Sequence, residues 1–162
     1  MIRQLLLSLL AVAVWAPCHA AVSVIDDSGH RVTLARPAQR VISMAPHVTE
    51  LLFAAGGGAR VVGVMNYSDY PPAATTLPLV GSSSELDMER VLALKPDLLV
   101  VWQGGNTERQ LAQLKALGIA MFYSEPRTMA QIGESVLRLG QLMGTEQQAA
   151  ASAGRSHGLA GA

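Results

Sequence analysis

Four apolar residues in unbroken succession, Leu98-Leu99-Val100-Val101, suit a parallel strand buried on both faces. The stretch before them reads as a short helix. Asp87 caps it, Glu89 lies in its first turn, and Val91, Leu92 and Leu94 give it an apolar face. Lys95-Pro96-Asp97 ends that helix, because proline disfavours helical geometry at the residue before it. Trp102 and then Gly104-Gly105-Asn106 mark where the strand must stop.

The same alternation of strand and helix runs through the rest of the chain. Residues 21–34 alternate weakly around Asp26-Asp27-Ser28-Gly29, which predicts a hairpin. Arg40-Val41-Ile42-Ser43 is the first central strand, and Ala45-Pro46-His47 the loop at its end. A helix begins at Val48 or Thr49 and runs through Leu51, Leu52, Phe53 and Ala54 to Gly56-Gly57-Gly58. Residues 60–64 form the second strand and 66–72 a stiff loop with two tyrosines and two prolines. Residues 73–79 look irregular, and Val80-Gly81 reads as a short edge strand before Ser82-Ser83-Ser84-Glu85. Beyond Asn106, leucines 111, 114 and 117 line one face of a helix that Gly118 closes. A strand follows over 119–123, then a helix over 128–143 with Ile132, Val136, Leu139 and Met143 on one side. Gly144 interrupts it, and Thr145 starts another helix. From Gly154 onward, glycine at 154, 158 and 161 predicts an irregular tail.

This order predicts an α/β fold: a Rossmann-like lobe with a mostly parallel sheet and helices on both faces. Ligands bind such sheets beyond the carboxyl ends of the strands, where the next helices start. Loops 45–47, 66–72 and 102–106 gather on that rim, and so does the helix start bearing Glu89. Aromatic residues are only 4% of the chain, yet Tyr67, Tyr70 and Trp102 all fall in these loops. That clustering points to a binding surface.

Residues 1–20 read as a secretory signal. Arg3 precedes a short apolar run, and Cys18-His19-Ala20 offers small residues for cleavage after Ala20. Cys18 raises a lipoprotein alternative, which Trp15-Ala16-Pro17 before it argues against. Cleavage leaves 162 − 20 = 142 residues, one domain's worth, without cysteine. The chain has 12 basic and 12 acidic residues, and loss of Arg3 makes the balance 11 − 12 = −1. No basic patch favours nucleic acid.

Catalytic signals are sparse. His30, His47 and His157 lie at no metal-ligand spacing, and neither GxSxG, a P-loop nor GxGxxG after a strand occurs. An exported enzyme would have to work with Asp69 and His47, for which no third group is evident. No catalytic residue, metal ligand or cofactor is expected.

The runs RVISMAPHVTELLFAAG, VGVMNYSDYPP and DMERVLALKPDLLVVWQGGN, with the helix ending in LGQLMG, resemble the N-terminal lobe of class III periplasmic binding proteins. The upstream DDSGHRVTL is similar too, so the likeness covers residues 21–150. YSDYPP together with ERVLALKPDLLVVWQGGN resembles the cobalamin receptor branch of ABC importers. The resemblance implies a monomeric periplasmic receptor that carries cobalamin or a related corrinoid as transported ligand to an ABC permease in the inner membrane. A haem or ferric-siderophore receptor of the same class is the alternative, as is an isolated docking lobe without high-affinity binding. Tyr67 and Trp102 match aromatic positions that pack on the corrin. Pro46 and His47 match a loop that faces ligand, and Glu89 matches an acidic knob that docks with permease arginines.

The loop 82–84 is all serine where enteric cobalamin receptors carry a tryptophan. The implied organisation is a signal peptide over 1–20, an N-terminal lobe over 21–144, and the start of a linking helix with an irregular tail over 145–162. The family's second lobe has no counterpart in this sequence, which leads us to expect a fragment or a frameshift near Ala153.

Overall fold

The structure, a computed structural model, describes residues 21–159. The expected signal segment and its cleavage point lie outside the described residues. Two short strands, β1 (Val22–Ile25) and β2 (Arg31–Leu34), pair antiparallel as the hairpin, with Val24 opposite Val32. Five further strands form one sheet: β3 (Val41–Ser43), β4 (Val61–Met65), β5 (Leu79–Gly81), β6 (Leu98–Trp102) and β7 (Ala120–Ser124). Their order is β5-β4-β3-β6-β7, and every neighbouring pair is parallel. The chain therefore winds outward from β3 to one edge, crosses back, and winds outward again. The strand order reverses between β3 and β6, which is the topological switch point where such sheets hold ligands.

Five helices cover the sheet: α1 (Pro46–Ala54), α2 (Met88–Ala93), α3 (Glu108–Ala116), α4 (Met129–Met143) and α5 (Glu146–Leu159). Strand β6 shows why helices are needed on both faces. Its residues 98–101 are completely buried, with Leu98 and Val100 in one apolar cluster and Leu99 and Val101 in the other. Leu52 of α1, Val136 and Leu139 of α4 and Ala149 of α5 close the first cluster. Val91 of α2 and Leu114 of α3 close the second.

Four local expectations need correction. Pro46 and His47 are the first residues of α1, not a loop before it; proline's fixed φ and missing N–H suit a first helical position. Residues 72–76 form a 3-10 turn rather than irregular chain, with Pro72 likewise at its start. Leu92 does not belong to the buried face of α2: it is 52% exposed, while Val91 alone of that helix is fully buried. The tail is not irregular from Gly154, since α5 continues to Leu159. That helix is held from outside. Ala149 and Ala153 are buried, a side chain at Gly140 of α4 would come within 2.4 Å of the Ala149 Cβ, and the Thr145 hydroxyl donates to the Ala55 carbonyl at 2.6 Å. Packing of this kind outweighs the roughly 1 kcal/mol that an interior glycine costs.

The hairpin is bolted to the sheet through its turn. Buried Asp26 accepts from the backbone N–H of Ser28, His30 and Tyr123. Asp27 accepts from the Glu125 N–H at 2.7 Å and pairs with Arg138 of α4 at 2.6 Å. The Arg138 guanidinium also donates to the Ile25 carbonyl. The turn thereby sits beside the carboxyl ends of β6 and β7.

Candidate functional site

Three loops meet at the carboxyl rim of the sheet around a cavity of about 200 Å³. Met44, Ala45 and Pro46 come from the end of β3, Met65, Asn66 and Tyr67 from the end of β4, and Trp102, Gly105 and Asn106 from the end of β6. Ser83 completes the wall. It belongs to the all-serine loop, so a small hydroxyl stands on this side of the cavity.

Trp102 is the last residue of a strand otherwise sealed in the core, yet its own side chain is 38% exposed. Its position is fixed by neighbours with no choice. A Cβ on Gly105 would lie 1.8 Å from the indole, so only glycine admits the ring there. Buried Asn106 accepts the Trp102 N–H on Oδ1 at 2.8 Å and donates from Nδ2 to the Met44 carbonyl at 3.0 Å. One amide thus ties the loop after β6 to the loop after β3, across the switch point.

His47, the residue after Pro46 at the start of α1, meets the Trp102 ring edge-to-face, with centroids 5.1 Å apart and planes at 84°. Burial lowers the pKa of His47 below its ordinary 6.5, against the opposing pull of Glu125 and Glu50. Near neutral pH the ring is therefore uncharged.

Tyr67 lines the same cavity with 84% of its surface exposed. Its φ of 68° is left-handed, an uncommon conformation for a bulky residue. The next residue is held by a buried chain of hydroxyls: Thr49 lies 2.8 Å from Ser43 Oγ and 3.0 Å from Ser68 Oγ. Tyr70 shares the loop and is 64% exposed, but does not line the cavity. Sequence reading singled out the aromatic residues and missed Asn106, Thr49 and Ser68. A lone asparagine after Gly-Gly and hydroxyls inside apolar runs were the available signals.

Glu89 lies elsewhere on the same rim. It occupies the first turn of α2, whose N-cap Asp87 accepts the Arg90 N–H at 2.9 Å. The Glu89 side chain is exposed and takes part in no hydrogen bond or ion pair. It borders an open polar hollow of about 570 Å³ with Asn66, Ser82, Glu85 and Asp87. Asn66 borders both hollows, so the aromatic wall and the acidic helix start adjoin. No cluster of three or more histidine, cysteine or carboxylate side chains fit to hold a metal occurs among the described residues.

The aromatic cavity thus lies at the switch point of a parallel α/β lobe, where such sheets hold ligands. The sequence comparison is more specific: residues 41–155 match the family described as periplasmic binding protein, and the chain belongs to that family. It is 49% identical over 115 residues to the vitamin B12-binding proteins of Yersinia pestis (strain Pestoides F) and Yersinia pseudotuberculosis serotype O:1b. Those alignments cover 71% of this chain and 41% of each relative. Among solved structures, the periplasmic vitamin B12 binding protein BtuF of Vibrio cholerae superposes with a TM-score of 0.72 at 38% identity, over 75% of this chain and 48% of that one. A periplasmic heme binding protein from Pseudomonas aeruginosa gives 0.67 at 30% identity, over 75% and 44%. The chain thus spans less than half the length of the relatives it matches.

Proposed function

We propose that this lobe is the ligand-facing half of a periplasmic receptor for cobalamin or a related corrinoid, the substrate-binding component of an ABC importer. The observation that carries the reading is Trp102. A largely apolar macrocycle needs flat aromatic surface to lie on. Trp102 offers that surface at the switch point, locked by Gly105, Asn106 and His47, with Tyr67 lining the same cavity. The relatives with the higher identities are vitamin B12-binding proteins, which favours a corrinoid. Haem is the second reading, supported by the likeness to the heme binding protein.

In this reading Tyr67, Trp102, Pro46 and His47 contact ligand, and Glu89 docks with arginines of an inner-membrane permease. A free, exposed carboxylate at a helix start suits that task, because it sets docking register without first breaking an internal pair. Residues 1–20 act as a signal cleaved after Ala20, residues 21–144 form the lobe, and α5 begins the connection to a partner lobe. Equilibrium dialysis of the chain against cyanocobalamin and haemin tests the assignment. Retention of cyanocobalamin, weakened by Trp102→Ala, is expected. Retention of haemin alone would transfer the assignment to the second reading.

A further inference from the structure

A third hollow, of about 320 Å³, lies beside the aromatic cavity and is lined by Asp27, Gln103, Gly104, Glu125, Arg127 and Gln131. It shares the loop after β6 with the aromatic cavity: Gly104 lines this hollow and Gly105 the cavity. A Cβ on Gly104 would stand 3.3 Å from the indole Nε1 of Trp102, so the ring edge reaches this boundary. Any flat ligand lying on Trp102 and extending past its Nε1 edge projects toward this polar hollow.

The hydrogen-bonding groups here are one-sided. Each acceptor side chain already receives a hydrogen bond. Asp27 receives Arg138, Ser135 and the Glu125 N–H. Glu125 Oε2 receives the Gly104 N–H at 3.0 Å. Gln103 Oε1 receives the Ser28 hydroxyl, and Gln131 Oε1 receives the N–H groups of Arg127 and Thr128. What remains without a hydrogen bond among the described residues is a set of donors: the Nε2 groups of Gln103 and Gln131, and the guanidinium of Arg127, which is only loosely paired with Glu125. That guanidinium is 79% exposed, with its nearest carboxylate 3.8 Å away at Glu125.

We infer that this hollow is a subsite for oxygen acceptors on the side arms of the ligand whose ring lies on Trp102. The inference rests on the macrocycle reading above and names the chemistry it needs at the ring's edge. Two sources share that chemistry, the carbonyl oxygens of peripheral amides and the oxygens of peripheral carboxylates. Glu125 offsets the charge of Arg127, so the neutral amide carbonyl is the better match. The N-terminal hairpin borders the subsite, since Asp27 lines the hollow and accepts from the backbone N–H of Glu125.

The test compares the full chain with a Gln103→Ala, Arg127→Ala double variant, with Ser28→Ala and with Trp102→Ala, in dialysis against cyanocobalamin (amide arms) and haemin (carboxylate arms). Loss of two ligand hydrogen bonds, one of them charge-assisted, predicts roughly tenfold weaker cyanocobalamin binding by the double variant. Ser28→Ala, which removes the hairpin contact but keeps the donors, stays within about twofold. A loss seen with haemin alone supports the subsite and makes carboxylate its occupant. Unchanged affinity in the double variant, with Trp102→Ala still weakened, overturns the subsite and leaves the macrocycle reading intact. Equal loss from Ser28→Ala overturns it too, by showing that loosening of the hairpin is enough. A wild-type chain that retains neither compound overturns both.

Discussion

Two patches of one sheet rim are built on opposite principles. Around Trp102, shape is fixed by buried polar groups: Asn106 spans two loops, and the hydroxyls of Ser43, Thr49 and Ser68 tie β3 and α1 to the loop after β4. Around Glu89, position comes from a capped helix start, and the carboxylate is exposed. The first patch suits a rigid ring, for which a pre-formed wall lowers the ordering cost of binding. The second suits a charged partner that approaches through water, where reach and sign matter more than fit. Substitutions of the buried polar groups at the first patch should therefore act on stability and ligand affinity together, those of its exposed rings chiefly on affinity, and those at the second patch on neither.

The largest effect is expected at the joint beneath the aromatic wall. Asn106→Ala leaves the Trp102 N–H and the Met44 carbonyl without their partner, which costs about 2 kcal/mol or more. Urea denaturation measures the loss, and ligand retention should fall with it. Trp102→Ala separates the two consequences. The indole is partly exposed, so stability falls by less than about 1.5 kcal/mol, while cyanocobalamin affinity drops by a factor of ten or more. Tyr67→Ala sharpens the contrast: with a side chain 84% exposed it leaves stability within about 0.5 kcal/mol and weakens binding about fivefold.

His47 supplies a pH dependence. Its folded pKa lies below 6.5 because burial disfavours the charged ring, so the unfolded chain binds the proton more readily. The contribution of His47 to stability is complete above 6.5 and is lost as pH falls through the lower, folded value. Denaturation midpoints compared at neutral pH and about pH 5 should show this loss, and His47→Gln should reduce it. Glu89→Gln is the smallest perturbation of the lobe. Stability and ligand retention should not change, and the effect should appear only as slower, less salt-sensitive association with permease in reconstituted membranes.

The fold was legible because β6 announces itself. Four apolar residues in a row cannot be satisfied by a sheet open to water, and the helices on either side supply the cover. The aromatic residues of the site were legible for a related reason, since bulky rings placed after strands in a chain poor in aromatics need an explanation. What periodicity could not convey was tertiary support. Pro46 and His47 read as loop because a proline next to a strand end suits a turn equally well, and only the path of α1 decides between them. The glycines at 154 and 158 read as a helix end because local propensity says so, while burial of Ala149 in the core, and of Ala153 one turn on, carries the helix past them. Leu92 was assigned to the apolar face of α2 by its neighbours in sequence, yet a helix of six residues has room to bury little besides Val91. Asn106 was invisible for the same reason that it matters: its partners are 4 and 62 positions away, one at its own loop's start and one on another strand's exit.

The central claim is that the wall made by Trp102 and its supporting loops receives a corrinoid. The most direct measurement is a fluorescence titration of the chain carrying Trp15→Phe, which leaves Trp102 as the sole tryptophan. Cyanocobalamin is the titrant, and free tryptophan in urea provides the correction for light absorbed by the corrinoid. The account predicts saturable quenching of Trp102 that Tyr67→Ala shifts to higher concentration. Quenching that matches free tryptophan at every concentration, in a chain whose circular dichroism shows it folded, would contradict it.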